Sequence, residues 1–140
     1  MALTHLLETS VLTRLGNPVI QQAILDLKDE PDPAEFGRTP ISDLEVGFAA
    51  RNAAEWDRLM SASRRFQLVD TTSEHICRAK DVQRLLAVKH QRGRKVPDLL
   101  IAATAEAAKL TILHYDADFD MIASVTGQSC QWIVTAGSVD

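Results

Sequence analysis

The sequence predicts an α/β protein in which a parallel β-sheet of about five strands carries helices on both faces, in three αβα layers. Short apolar runs alternate along the chain with longer segments whose apolar residues recur at helical spacing. Such alternation is typical of β-α-β units, whose strands pair in parallel. The chain has 140 residues, 46% of them apolar and 24% charged, which suffices for a core and excludes a disordered chain. We expect a single domain over residues 1–140.

The first half of the chain contains three of the predicted strands. Pro18 starts a helix, because proline is favoured in the first helical turn, and Gly16 ends the helix before it. The predicted elements are, in order, a strand at 5–7, a short helix ending at Gly16, a helix starting at Pro18, a strand at 39–41, helices starting at Ser42 and at about 53, and a strand at 66–69.

The second half contains the most apolar helix of the chain. Pro97 opens it, and residues 99–105 are apolar almost all round, which indicates a buried central helix. The other predicted elements are a helix over about 74–91, a strand at 110–115, a short helix around Phe119 that ends at Gly127, and a last strand at 131–134.

Charge and cysteine content exclude several classes of protein. The net charge is −4, so any contact with nucleic acid must come from a local basic patch. Cys77 and Cys130 lie far apart, with no zinc-finger spacing, and are expected to be buried free thiols in a reducing compartment. The N-terminus lacks the pattern of a signal peptide and no apolar run is long enough to span a membrane, which predicts a cytoplasmic protein.

Acidic residues follow several of the predicted strands or begin the helices after them. Since functional side chains of a parallel sheet gather at the carboxyl ends of its strands, these acids should converge and hold Mg²⁺ or Mn²⁺. They are Glu8, Glu45, Asp98, Asp116 and Asp118. Each also has a structural interpretation: Glu45 completes a capping box with Ser42, Asp98 complements a helix dipole, and Asp118 caps a helix.

A basic segment precedes the helix of Asp98. Seven of the fifteen cations lie between residues 78 and 95, and the last members of this segment, Arg92, Arg94 and Lys95, are expected to contact phosphate groups beside the site. Residues 78–89 are equally compatible with a solvated helix face. Arg14 is a weaker candidate for phosphate contact. His114 resembles a general base, but the preferred interpretation is that it ends a buried strand.

Four segments carry a resemblance to the PIN-domain family, specifically to VapC-type toxin ribonucleases. They are LLETSVLTRL (6–15), ISDLEVGFAAR (41–51), VPDLLIAATAEAAKLTILHYDADFDMIA (96–123) and TGQ (126–128). The first segment departs from the family, which has Asp where this chain has Glu8. Ser10 matches the small polar residue that lines the site in the family, and the resemblance implies that Ser10, with Arg14, Arg92, Arg94 and Lys95, contacts RNA.

The resemblance implies a Mg²⁺- or Mn²⁺-dependent endoribonuclease that cleaves tRNA or rRNA, forms a homodimer and is inhibited by a VapB-type antitoxin. By position, Glu8, Asp98 and Asp116 become metal ligands, with Glu45 and Asp118 as further active-site acids. The departure at Glu8 leaves a second interpretation open: a weakened PIN domain that binds RNA or antitoxin without efficient cleavage. A phosphoacceptor receiver domain does not fit, because Glu8 stands alone and no lysine follows Lys109.

Overall fold

The computed structural model describes residues 2–91 and 95–140, and its described residues form a five-stranded sheet in which every strand pair is parallel. Along the chain the strands are β1 (His5–Leu7), β2 (Phe36–Arg38), β3 (Gln67–Leu68), β4 (Thr111–His114) and β5 (Cys130–Trp132). Their order in the sheet is β3-β2-β1-β4-β5. This confirms the predicted sheet.

Helices connect the strands and cover the sheet. They are α1 (Thr9–Leu12), α2 (Pro18–Lys28), α3 (Pro40–Phe48), α4 (Ala53–Ser63), α5 (Ser73–Val88), α6 (Val96–Ala108) and α7 (Asp118–Thr126). Proline lies in the first turn of α2, α3 and α6, and Gly127 ends α7 with a φ of 73°. Within the described residues, no helix is both long enough and apolar enough to cross a bilayer.

The two faces of the sheet bury separate sets of apolar residues. Neighbouring residues of a strand point to opposite faces, so Leu6 and Ile112 pack on one side while Leu7 and Leu113 pack on the other. The first side is covered by α5, α6 and α7, and the second by α1, α2 and α4. Complete burial of each of these side chains contributes about 2–3 kcal/mol. The predicted helices on both faces are thereby confirmed.

The order of the strands reverses between β1 and β4. From β1 the chain moves outward through β2 to β3, then returns across the sheet so that β4 pairs with the other side of β1. In parallel α/β sheets, such a reversal opens a crevice at the carboxyl ends of the two strands. Glu8 follows β1 and Asp116 lies just beyond β4, so both acids stand at this crevice.

One predicted strand, at residues 39–41, is wrong. The strand is β2, at Phe36–Arg38, and α3 has already begun at Pro40. Thr39 is the N-cap of α3, because the Thr39 side-chain oxygen accepts the backbone N–H of Ser42 at 3.1 Å. Ser42 therefore does not start the helix, and the predicted capping box with Glu45 does not form.

Cysteine burial also differs from the prediction. Cys77 is exposed on α5 and Cys130 is half-buried in β5, so neither is a fully buried core residue, although both are free thiols as expected.

Candidate functional site

Three aspartates meet at the carboxyl end of the sheet. Asp98, Asp116 and Asp118 each offer a carboxylate oxygen, and these oxygens lie within 4.8 Å of one another. Asp98 comes from the first turn of α6, Asp116 from the turn after β4, and Asp118 from the start of α7. Two segments that are distant in sequence, the first turn of α6 and the turn between β4 and α7, thus supply the cluster.

Asp98 is the buried member of the cluster. Its side chain is held against the sheet by the apolar helix α6, and only 4% of the residue is exposed. Its Oδ2 has no hydrogen-bond partner among the residues that the structure describes. Burial, together with the charges of Asp116 and Glu45, raises the pKa of Asp98 to about 7. An unpartnered buried carboxylate oxygen is costly, so this geometry favours a cation beside it.

The turn that carries Asp116 and Asp118 is fixed by its own hydrogen bonds. Asp116 Oδ1 accepts the backbone N–H of Asp118 at 2.9 Å, so Asp116 rather than Asp118 satisfies the N-terminus of α7. The other oxygen of Asp116, Oδ2, lies 4.0 Å from Lys95 Nζ. The predicted capping role of Asp118 is therefore not observed, and its carboxylate is directed to the cluster instead.

Glu8 lies behind the aspartates. It is the N-cap of α1: its Oε1 accepts the backbone N–H of Ser10 at 2.9 Å, and only 2% of the residue is exposed. Burial raises its pKa to about 8, against the lowering effect of the Ser10 N–H. The charges of Asp98 and Asp116 also contribute to this raised pKa. The structure assigns Glu8 a structural contact, and its role as a metal ligand stays a prediction.

Glu45 is held by a residue that the sequence did not single out. Thr9 Oγ1 donates to Glu45 Oε1 at 2.5 Å and also lies 3.1 Å from Ser42 Oγ. Glu45 is near enough to Asp98 for its charge to contribute to that residue's raised pKa. No linear motif joins positions 9 and 45, so only the packing of α1 on α3 shows this contact.

Ser10 and Arg14, two of the predicted RNA contacts, make internal hydrogen bonds. Ser10 Oγ accepts the backbone N–H of Tyr115 at 2.7 Å, which ties α1 to the end of β4. Arg14 donates to the carbonyl oxygens of Ser10 and Asp140, both at 2.7 Å, and lies over the Tyr115 ring. Their contact with RNA stays a prediction, and in the structure these groups join α1 to the C-terminal residues.

The basic segment divides into three parts. Arg92 and Arg94 lie outside the described residues. Lys95 is exposed and stands beside Asp116, which agrees with its expected place at the rim of the site. On α5, Arg78 forms an ion pair with Glu106, with Nε and Oε1 2.7 Å apart. This pair supports the interpretation of Arg78 as part of a helix face rather than as an RNA contact.

The donor set fits a hard divalent cation. All of the cluster's ligand atoms are carboxylate oxygens, which Mg²⁺ and Mn²⁺ prefer, and Asp98 Oδ2 is a buried acceptor without a hydrogen-bond partner among the described residues. Asp98, Asp116 and Asp118 are therefore the residues that would hold the ion. The structure thus groups Asp118, rather than the predicted Glu8, with the other two aspartates.

The raised pKa values of Glu8 and Asp98 predict that the metal-free protein loses stability as pH rises. The folded protein keeps protons that the unfolded chain has already released, so the free energy of unfolding falls between about pH 5 and pH 8, by roughly 2–4 kcal/mol. Urea unfolding in EDTA across this range measures the slope. Glu8→Gln should flatten it, whereas Asp57→Asn, at an exposed position outside the cluster, should not. A flat wild-type profile would contradict the assignment of buried protons.

The fold and the cluster together define an α/β protein with an acidic site at the reversal point of a parallel sheet. A model of the PIN domain matches residues 6–125 of the sequence. The chain therefore belongs to the PIN-domain family, which confirms the resemblance carried by its motifs.

Within the PIN-domain family, the chain is similar over its full length to proteins named as VapC ribonucleases. The chain is 56% identical over 140 residues to Ribonuclease VapC51 of Mycobacterium tuberculosis, and the alignment covers 100% of both chains. It is 34% identical over 141 residues to Ribonuclease VapC21 of the same species, with 99% of each chain covered. The predicted similarity to VapC-type proteins is thus confirmed.

Solved structures show the same fold. VapBC-1 from nontypeable Haemophilus influenzae superposes with a TM-score of 0.76 at 12% identity, covering 95% of this chain and 100% of that chain. A toxin–antitoxin complex from Klebsiella pneumoniae gives a TM-score of 0.71 at 21% identity, covering 94% and 98%. At such low identities the likeness establishes the α/β fold that the sequence predicted.

Proposed function

We propose that the protein is a toxin endoribonuclease that hydrolyses a phosphodiester bond of structured RNA, of the tRNA or rRNA class, with the help of Mg²⁺ or Mn²⁺. The observation that carries this proposal is the aspartate cluster, one member of which, Asp98, has a buried and unpartnered Oδ2. Full-length similarity to two proteins named as ribonucleases supports it.

The residues of the cleft have distinct roles in this reaction. Asp98, Asp116 and Asp118 would hold the cation, which would supply a positive charge that orients a phosphodiester and lowers the pKa of a water molecule. Glu45, whose Oε1 is fixed by Thr9, is the carboxylate that receives the proton of the attacking water. As the water oxygen bonds to phosphorus, the bond from phosphorus to one ribose oxygen breaks, and that oxygen takes up a proton from solvent. Lys95, at the rim, pairs with phosphate oxygens of the RNA when substrate displaces it from Asp116.

A protein partner is the second part of the proposal. We propose that a VapB-type antitoxin inhibits the protein and that the free toxin is a homodimer. Apolar side chains project into solvent from α3 and α4: Phe48 is 92% exposed, and a groove of about 680 Å³ beside it is lined by Leu44, Trp56 and Met60. An exposed apolar surface of this kind is uncommon on a monomer and supports a protein contact. Several solved neighbours are described as VapBC, among them VapBC-1 from nontypeable Haemophilus influenzae and a DNA-bound VapBC from Salmonella typhimurium.

The weakened PIN domain remains a second candidate because of Glu8. Its Oε1 caps α1 and is therefore committed to Ser10, which leaves the cluster with one carboxylate fewer than the family motif supplies. Under this alternative the protein binds RNA or antitoxin but cleaves poorly.

A ribonuclease assay with and without EDTA separates the two candidates. Purified protein is incubated with total tRNA and with rRNA in Mn²⁺, in Mg²⁺ and in EDTA, next to the Asp98→Asn variant. Metal-dependent cleavage that the variant lacks supports the enzyme. RNA binding by gel shift without cleavage at any metal concentration supports the weakened domain instead.

Lys95, Arg92 and Arg94 are predicted to contact RNA phosphates. Replacing all three by Gln should weaken RNA binding and reduce the slope of log affinity against log salt by roughly one unit per lost contact. Lys28→Gln is the control, because Lys28 ends α2 before the chain enters β2 and thus lies toward the amino ends of the strands, opposite to the cluster. An unchanged slope in the triple variant would mean that the segment does not touch the nucleic acid.

A further inference from the structure

His114 lies directly beneath the acidic turn and is fully buried. It is the last residue of β4, and its ring packs between Phe119 of α7, at a centroid distance of 5.4 Å, and Trp132 of β5, at 5.0 Å. Packing on both sides restricts the ring to one orientation.

The polar contacts of the ring define its tautomer. His114 Nδ1 accepts the backbone N–H of Asp116 at 3.3 Å, so Nδ1 carries no proton and the ring proton resides on Nε2. Nε2 faces Asp120 Oδ1 at 3.7 Å and has no closer partner among the described residues. The other oxygen of Asp120, Oδ2, accepts the indole N–H of Trp132 at 2.9 Å. A carboxylate held by Trp132 thus faces the protonated side of the ring.

The N–H of Asp116 has no strand to pair with. β4 ends at His114, and in the part of the chain that the structure describes, the acceptor for this N–H is the His114 ring. The side chain of Asp116 in turn accepts from Asp118. The His114 ring thus supplies the acceptor that holds the backbone N–H of Asp116. The direction of the backbone at Asp116 in turn determines whether its carboxylate points into the cluster.

We propose that His114 is a positioning residue for the metal-binding carboxylates: its Nδ1 fixes the backbone of Asp116, and Asp120 and Trp132 fix the ring. The assignment rests on the proposed function insofar as the cluster binds a divalent cation. It follows from the contacts of the ring and needs no change in its protonation. Partners of this kind, which orient a metal ligand without touching the metal, typically contribute 10–100-fold to metal affinity.

Three substitutions separate positioning from simple packing. His114→Phe keeps the aromatic volume and removes the acceptor. His114→Asn places an amide oxygen close to the position of Nδ1, whereas His114→Gln carries the same amide one methylene further, toward the position of Nε2. Mn²⁺ affinity is measured for each by isothermal titration, alongside the melting temperature in EDTA.

We expect His114→Phe and His114→Gln to bind Mn²⁺ at least about 10-fold more weakly than the wild type, and His114→Asn to recover to within about threefold. Equal Mn²⁺ affinity in wild type and His114→Phe would overturn the proposal. If His114→Phe does not fold, the Asn and Gln variants decide: the same affinity for both overturns it equally.

Two NMR measurements on the metal-free protein test the role of His114 without an activity assay. The ¹⁵N resonances of His114 should show an unprotonated Nδ1, and amide exchange of Asp116 should be at least about tenfold faster in His114→Gln than in His114→Asn. Equal exchange in the two variants would count against the proposal. Wild-type protein that binds Mn²⁺ through this arrangement but cleaves no RNA would contradict the proposed function and leave the role of His114 intact.

Discussion

Asp98→Asn should reduce RNA cleavage by about 10³ or more, because it removes the buried negative charge at the centre of the cluster. Asn preserves the volume and the first turn of α6, so the fold should persist. Its amide nitrogen also adds a donor where a cation would bind, and Mn²⁺ binding should weaken in parallel. Single-turnover cleavage of labelled RNA and Mn²⁺ titration measure the two effects.

The same substitution should stabilise the metal-free protein at pH 8. Asp98 has a raised pKa because its charge is desolvated and faces other carboxylates, and Asn carries no charge to desolvate. Activity and stability therefore change in opposite directions, which a general disruption of the fold would not produce. Glu106→Gln, on the same helix but paired with Arg78 away from the cluster, serves as the control. Full cleavage activity in Asp98→Asn would remove the central claim of the proposed mechanism.

Glu8→Asp should increase the rate of RNA cleavage, by up to about a hundredfold. The family motif has Asp at this position, and Glu extends the carboxylate by on the order of 1.5 Å. In the structure the Glu8 carboxylate caps α1, with Oε1 committed to the Ser10 N–H at 2.9 Å. Asp is also a favoured N-cap residue, so α1 should keep its cap and metal-free stability should barely change.

Cleavage rates at saturating Mg²⁺, and toxicity on expression in cells, measure the effect of Glu8→Asp. Glu8→Gln provides the matched control, because it keeps the length of the side chain and removes the charge. An activity equal to or below the wild type in Glu8→Asp would show that the site has adapted to Glu and that the argument from side-chain length is wrong.

The order of strands and helices could be predicted from the sequence wherever a residue type has one strong local preference. Pro18, Pro97 and Gly127 fixed helix ends for this reason. The strand predicted at residues 39–41 is wrong because Thr and Ile favour strands, and because Ser42 and Glu45 have the spacing of a capping box, which placed the start of the helix too late. Only the hydrogen bond from Ser42 N–H to Thr39 Oγ1 shows where α3 starts.

The acids of the site were predictable as a group, but their individual roles were not. Asp98, Asp116 and Asp118 follow from the general position of functional groups in a parallel sheet. The contact from Thr9 to Glu45 and the one from His114 to Asp116 depend on side-chain directions that no linear pattern encodes. The role of Glu8 could not be predicted for the same reason. A carboxylate at this position can cap α1 or bind a metal ion, and the side-chain rotamer decides between these two roles.

The central place of β1 has a consequence for synthesis of the protein. β1 pairs with β4, and the acids beside these strands, Glu8 and Asp116, are separated by most of the chain. While the ribosome is still translating the C-terminal third, β1 lacks one of its two neighbours and the cleft lacks its aspartate turn. A nascent chain therefore has no complete acidic cleft until its C-terminal third has left the ribosome, because the turn of Asp116 and Asp118 is among the last parts to be made.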